Sequence, residues 1–223
     1  DGIPTTYTPQ AKDVYAEGAL IFPCVLVQRD NADNEDIIRM CKRRIRVPEQ
    51  WYGDYLAQIG AARIGERRLK ELVEKYGVAR VRNFIRDWFD YAERRAVSAI
   101  AKLPKGHLEN SGSHDPVQPF LPESLEITVK VDIDPDEAMI TVDLRDNPDC
   151  IDAGLNLTEA CATANCLQGV FENLESDIPP NAGSFRRVNV LLRENCVVGI
   201  PRFPHSCSVA TTNMADVVVN LVQ

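Results

Sequence analysis

Between Trp51 and Gly77 the apolar residues return at Leu56, Ile59, Ala62, Leu69, Leu72, Val73 and Tyr76, close to a helical period, while Arg63, Glu66, Arg67, Lys70, Glu71 and Glu74 take the other side. The pattern predicts a long amphipathic helix over 54–76, stopped by Gly77. Two glycines inside it, Gly60 and Gly65, each cost a helix about 1 kcal/mol relative to alanine. Close approach of another backbone is the usual explanation of that cost, and a bound ligand the rarer one. A second stripe follows, Val81, Phe84, Ile85, Trp88, Ala92, Ala99, Ile100 and Leu103, with Pro104 and Gly106 as its stop. Two long helices joined by a short connection are expected to form a helical hairpin.

Upstream, Ala11 to Gly18 has the spacing of a short helix, and Ala19 to Gln28 is strand-like up to the break at Pro23. Arg29 to Asn34 has turn composition, and Glu35 to Arg43 predicts a helix with its basic residues in the last turn. Downstream the composition shifts. Residues 105–122 are rich in Gly, Ser, Asn, His and Pro and read as a polar linker. Leu125, Ile127, Val129, Val131 and Ile133 then alternate with polar residues, and the alternation resumes at Ala138, Ile140, Val142 and Leu144, the signature of a β-hairpin. Asn156, with Glu159 three residues on, marks a capped helix reaching Leu174, and a further strand is expected at Val188, Val190 and Leu192. No βαβ rhythm is apparent. The fold class expected is α+β: a mainly helical region over 1–104, the linker, and an α+β region over 123–223 that continues beyond the chain end.

A chain of 223 residues can bury a substantial core as one large domain or two small ones. Its net charge of -8 and pI near 5.0 argue against a general nucleic-acid or membrane surface, both of which call for a basic footprint. No apolar run approaches the roughly 20 residues of a membrane span. Seven scattered cysteines fit small buried thiols in a reducing compartment better than a disulfide framework, so a soluble cytoplasmic protein is expected.

Little in the residues specifies a reaction. No phosphate-cradling loop, dinucleotide fingerprint, H-E-x-x-H or nucleophile elbow occurs. His107, His114 and His205 are far apart, and the neighbours His114 and Asp115 seldom converge on one atom. Asp143, Asp146 and Asp149 flank Arg145 in a turn-like composition that favours structural ion pairs. Asn181-Ala182-Gly183-Ser184 has the makings of a tight loop presenting N–H groups to an anion. Arg43, Arg44 and Arg46 make a basic cluster just ahead of Trp51 and Tyr52. Arg46 is the anion-binding candidate, for bicarbonate, phosphate or a carboxylate, and an Arg46–Asp54 salt bridge that only pins the segment is the rival.

The run Gly53-Asp54-Tyr55-Leu56-Ala57-Gln58, followed by Arg63 to Leu69 and Lys75-Tyr76-Gly77, resembles the signature helix of the hydantoinase B family. Arg44 to Tyr55, Trp88 to Tyr91, Asp143 to Cys150 and Asn181 to Arg187 resemble, within that family, the alpha subunit of the acetone carboxylases. The family's subunits are much longer, and the chain opens at Asp1 without Met, so an internal portion of a larger subunit is expected. The resemblance implies ATP-dependent joining of a ketone to bicarbonate in a complex with a beta subunit, which binds ATP and Mg, and a gamma subunit. It also implies manganese in the full subunit, with the main ligands upstream of Asp1 and Glu17 as the one candidate here. The same family admits ATP-dependent lactam and hydantoin hydrolases, and a purely structural assembly segment is a third reading.

Overall fold

The computed structural model describes residues 8–18, 24–209 and 211–223. By internal contacts the chain divides into two units, one holding Gly18–Phe84 and the other holding Ile85–Gln223 together with the start of the described chain up to Glu17. The division falls at Phe84 rather than at the expected linker.

In the first unit, β1 (Gln28–Arg29) and β2 (Ala32–Asp33) form a short hairpin. Asp30 and Asn31 turn it with φ of 51° and 65°, a left-handed pair that short polar side chains tolerate. Helix α1 (Glu35–Arg44) follows, with Glu35 and Asp36 in its first turn, Lys42, Arg43 and Arg44 in its last, and Ile38 and Cys41 buried. Helix α2 (Pro48–Tyr76) begins ahead of the expected Asp54, because Pro48 occupies a first-turn position where its fixed φ is pre-organised. It ends at Gly77, which has φ 81° and whose N–H donates to the Val73 carbonyl at 2.7 Å. Helix α3 (Val78–Ile100) starts on the next residue. No residue of α2 is fully buried, Trp51, Tyr52, Tyr55 and Ile59 are half-buried, and a Cβ built at Gly60 or Gly65 meets nothing within 4 Å. The stretch Ala11 to Gly18 forms turns instead of a helix, and Ala19 to Pro23 lies outside the described residues.

The second unit is built on a sheet of order β3-β4-β5-β6. Strand β3 (Gly106–His114) occupies what reads as a linker, pairing antiparallel with β4 (Leu125–Asp134) from Gly106↔Ile133 to His114↔Leu125. Its polar composition misleads because β3 is an edge strand with nearly every residue exposed. Strand β5 (Met139–Asp143) completes the expected hairpin with β4, and Leu125, Ile127, Val129 and Val131 all point into the core. Strand β6 (Val188–Leu191) runs parallel to β5. Helix α4 (Glu159–Glu172) lies in that connection, so one βαβ crossover sits inside the α+β fold where none was expected.

Thr158, not Asn156, caps α4, accepting from the Cys161 N–H at 3.1 Å. Asn156 is fully buried: its amide donates to the carbonyls of Ile151, Ala153 and Ser206 and its oxygen accepts from the Ile151 N–H. Helix α5 (Met214–Val222) packs on α4, β3 and β4. Gly169 permits this contact, since a Cβ there would stand 2.7 Å from Val222 Cβ. Ile127, Val129, Val142, Leu144, Leu157, Val197, Met214 and Val218 form the centre of the core.

Candidate functional site

The anion-binding candidate lies where α1 gives way to α2. Arg43, Arg44 and Arg46 are exposed, as is Asp54. Among the ion pairs of the described residues, Lys42–Glu49 spans this junction at 3.4 Å and no Arg46–Asp54 pair occurs. The aromatic residues beside the cluster are ordered by each other: Trp51 stacks on Tyr55 at 5.8 Å, Tyr55 on Tyr52 at 5.9 Å, and Lys42 Nζ sits 4.1 Å over the Tyr52 ring.

What holds these rings is Asp33, at the end of β2. Its carboxylate accepts from Gln28 Nε2 at 2.6 Å, Tyr55 OH at 2.7 Å and Tyr52 OH at 3.1 Å, and Arg63 Nη2 donates to Gln28 Oε1 at 2.9 Å. The Gln28 and Tyr55 hydrogen bonds hold Asp33 below the usual carboxylate range. Loss of water contact, then the Asp33 hydrogen bond, pushes the Tyr55 hydroxyl up to about 12. Next to this network Cys24, Ile37, Cys41, Trp51, Asp54 and Gln58 line part of a cavity of about 550 Å³. Apolar and aromatic walls with one carboxylate and one amide suit a small organic molecule, but Arg46 is not among the lining residues.

The second candidate, Glu17, lies in the other unit. The segment that carries it is strapped to the stretch around His205: Val14 N–H donates to the Pro204 carbonyl at 2.9 Å, Asp13 bridges to His205, and Ser206 N–H donates to the Lys12 carbonyl at 3.3 Å. The Ser206 hydroxyl, fully buried, donates to Glu17 Oε1. Beside it the hydroxyls of Thr8 and Ser208 bond each other at 2.8 Å, and Gly154 fits against them because a Cβ would lie 2.7 Å from the Thr8 carbonyl oxygen. His205 holds the Arg202 carbonyl through Nδ1 at 2.8 Å and lies 3.9 Å from Asp152.

As a manganese site this corner is incomplete. Among the described residues no three His, Cys, Asp or Glu side chains gather to hold a metal ion, and Glu17 has one oxygen committed to Ser206. The nearby Cys207 thiol does not supply a ligand readily, since burial pushes it up to about 11. All seven cysteines are free: Cys41, Cys166 and Cys196 are buried, Cys150, Cys161 and Cys207 half-buried, and Cys24 is exposed.

The other sequence candidates are structural. Asp143 forks onto Arg145 at 2.7 and 2.9 Å, Asp146 pairs with Lys130 at 2.6 Å, and Asp149 pairs with Arg193 at 2.8 Å, so the three acids serve three different bases. Asn147, which sequence reasoning passed over, is the buried pin of that turn: its amide bonds both the N–H and the carbonyl of Thr128 at 2.8 Å. Arg193 was also missed, and donates to the carbonyls of Arg145, Asn147, Glu194 and Asn195. His114 bonds the main-chain oxygen of Asp115 and not its carboxylate, and His107 pairs with Asp132 across the strands at 2.7 Å. In the Asn181–Ser184 loop the Gly183 N–H is taken by Asn181 Oδ1 and the Asn181 N–H by Ser184 Oγ, so the loop does not present a nest to an anion. Glu93 on α3 binds both Arg186 and Arg187.

A model of the hydantoinase B/oxoprolinase family matches residues 2–223. The chain belongs to this family. Within it, the chain is 32% identical over 192 residues to the beta subunit of the caprolactamase of Pseudomonas jessenii, covering 84% of this chain and 32% of that protein. It is also 32% identical over 208 residues to a subunit of a putative D-/L-hydantoinase from Pseudomonas sp. (strain NS671), covering 87% of this chain and 34% of that protein. The solved ATP-dependent caprolactamase from Pseudomonas jessenii superposes with a TM-score of 0.81 at 26% identity, over 99% of this chain and 38% of that one. A nucleotide-free acetone carboxylase, from work on ATP-dependent acetone carboxylation, superposes at 0.76 with 14% identity over 94% of this chain and 29% of that one, a likeness of fold. The chain thus spans about a third of the length of these family members. The caprolactamase and acetone carboxylase are ATP-dependent enzymes, and two of the relatives are named as subunits. No helix among the described residues is long and apolar enough to cross a membrane.

Proposed function

We propose that the full-length protein is a cytoplasmic subunit of an ATP-driven enzyme that activates a poorly reactive carbonyl compound, and that its reaction joins a ketone to bicarbonate. The observation that carries this reading is the Arg44–Tyr55 stretch, which resembles the acetone carboxylase alpha subunit and which the fold places at the junction of α1 and α2, with exposed arginines beside an ordered aromatic ladder. The chemistry needs ATP because a ketone is a weak carbon acid and bicarbonate a weak electrophile; phosphorylation activates them and cationic groups stabilise the charge that develops. Arg46 is the residue here suited to holding such an anion. The companions proposed are a beta subunit carrying ATP and Mg and a gamma subunit. Manganese is proposed for the full subunit, where it would supply Lewis-acid stabilisation of an enolate or phosphorylated oxygen, and Glu17 would offer it at most the carboxylate oxygen not engaged by Ser206.

A second reading, ATP-dependent opening of a cyclic amide, is favoured by the two relatives at 32% identity, one named a caprolactamase and the other a hydantoinase. One experiment separates the two. The purified full-length complex is assayed for ATP hydrolysis with bicarbonate plus acetone, butanone or acetophenone, and with caprolactam or a hydantoin without bicarbonate. Carboxylation predicts bicarbonate-dependent turnover and labelled bicarbonate in the β-keto acid. Turnover with the cyclic amide alone replaces it with the hydrolase reading.

A further inference from the structure

Asp54 and Gln58 stand four residues apart on α2, so they share one face of the helix, and both line the cavity beside α1. Neither side chain has a hydrogen-bond or ionic partner among the described residues. An acceptor-only carboxylate and an amide therefore face the cavity with their bonding capacity unused. The walls around them are apolar, with Ile38 and Cys41 from α1 and the rings of Trp51 and Tyr55 from α2. These rings are fixed before anything binds, Tyr55 by its hydrogen bond to Asp33 and Trp51 by stacking on Tyr55. A wall already in place spares a ligand the entropy of ordering it.

The polar pair says which chemistry fits a space of about 550 Å³. A ketone presents acceptors alone and gives Asp54 nothing, and bicarbonate brings a second negative charge against it. A cyclic amine donates to Asp54 but leaves the Gln58 N–H groups unused. A main-chain peptide is trans and carries its N–H and C=O on opposite sides, so one peptide unit cannot meet both groups. A secondary cyclic amide can. Its ring holds the amide cis, with N–H and C=O on one edge, so it donates to Asp54 and accepts from Gln58 at once while its methylenes lie against Ile38, Trp51 and Tyr55.

We propose that the cavity between α1 and the first turns of α2 binds a secondary cyclic amide, with Asp54 accepting its N–H and Gln58 donating to its carbonyl. The inference rests on the cyclic-amide reading of the function, to which it adds a place and two specificity-determining residues. It is tested by calorimetric binding of caprolactam, N-methylcaprolactam and azepane to the full-length complex. Asp54 and Gln58 are exposed on α2, so Asp54→Ala and Gln58→Ala should leave melting close to wild type. Each variant should weaken caprolactam about tenfold or more. N-methylation removes the N–H that Asp54 receives, so the methylated ring should bind wild type as weakly as caprolactam binds Asp54→Ala, and the two losses should not add. Additive losses, or azepane binding as tightly as caprolactam, overturn the assignment of the polar pair. Turnover of caprolactam with a Michaelis constant that neither variant changes removes the cavity from the site and leaves the cyclic-amide reading standing. A wild-type complex that neither binds nor turns over caprolactam overturns both.

Discussion

Gly183 lies against the main chain of Phe89: a Cβ at position 183 would overlap the Phe89 carbonyl and stand 2.6 Å from its Cα. The glycine has an ordinary helical φ of -74°, so space and not backbone freedom is what requires it. Gly183→Ala should destabilise the fold by about 1–3 kcal/mol through overpacking. The check is a thermal melt, in which each kcal/mol lowers the midpoint by about 2–4 °C for a domain of this size.

Glu93 ties the same loop to α3 by charge, binding Arg186 at 2.7 Å and Arg187 Nε at 2.9 Å. The Arg186 hydrogen bond, then that of Arg187, lowers the carboxyl's pKa. A depressed pKa gives stability that is present above the unfolded value and lost as pH falls through the folded one. Glu93→Gln should therefore cost about 1.5–3 kcal/mol at neutral pH, and the difference from wild type should shrink below about pH 4. A difference that stays constant down to pH 3 contradicts the ion-pair account.

The Asp33–Tyr55 bond works with opposite signs at its two ends. Asp33 is held low, so its share of stability is lost on acidification through the folded value; Tyr55 is raised to about 12, so its share is intact below the ordinary tyrosine range and is lost on the way up to about 12. Tyr55→Phe should remove the alkaline loss and leave Trp51 stacking in place. Denaturant melts between neutral pH and pH 11 read the effect directly.

Ser206→Ala leaves a Glu17 oxygen without its buried hydroxyl partner and should cost about 1–3 kcal/mol. Glu17→Gln can still accept from that hydroxyl through its amide oxygen, and should cost less. In the full subunit, manganese content that falls in Glu17→Gln but not in Ser206→Ala marks Glu17 as a ligand; equal content in both assigns it to the strap alone.

Arg46 is exposed and is not paired with Asp54, so Arg46→Gln should change stability by less than about 0.5 kcal/mol. If it positions bicarbonate, the variant complex stays assembled while the apparent Michaelis constant for bicarbonate rises. Unchanged bicarbonate kinetics in an assembled complex remove Arg46 from the site.

Helices α1 to α4 and the β4–β5 hairpin were legible because burial repeats every 3.6 or 2 residues and leaves that period in the sequence; α5 was not foreseen, and the helix expected over Ala11 to Gly18 is a run of turns. Where pairing joins residues distant in the chain, no local signal exists. Glu17 and Ser206 are 189 positions apart, and Glu93 and Arg187 are 94 apart. The Asn181–Ser184 loop has a nest-like composition, but whether its N–H groups face outward depends on what the Asn181 and Ser184 side chains bond, and here they bond the loop itself. The cap of α4 moved from Asn156 to Thr158 because a fully buried amide with three carbonyl partners is better satisfied in the core than at a helix end.

Strand β3 has one further consequence. It closes one side of the sheet with Glu109, Asn110 and Ser111 exposed along an unpaired rim, and such a rim is where two molecules in a crowded solution would zip together. The residues that disguise it as a linker thus act as gatekeepers of colloidal behaviour. Apolar replacements at Glu109 and Ser111 would be expected to leave the monomer's packing nearly unchanged and still turn a dispersed protein into one that precipitates as its concentration rises.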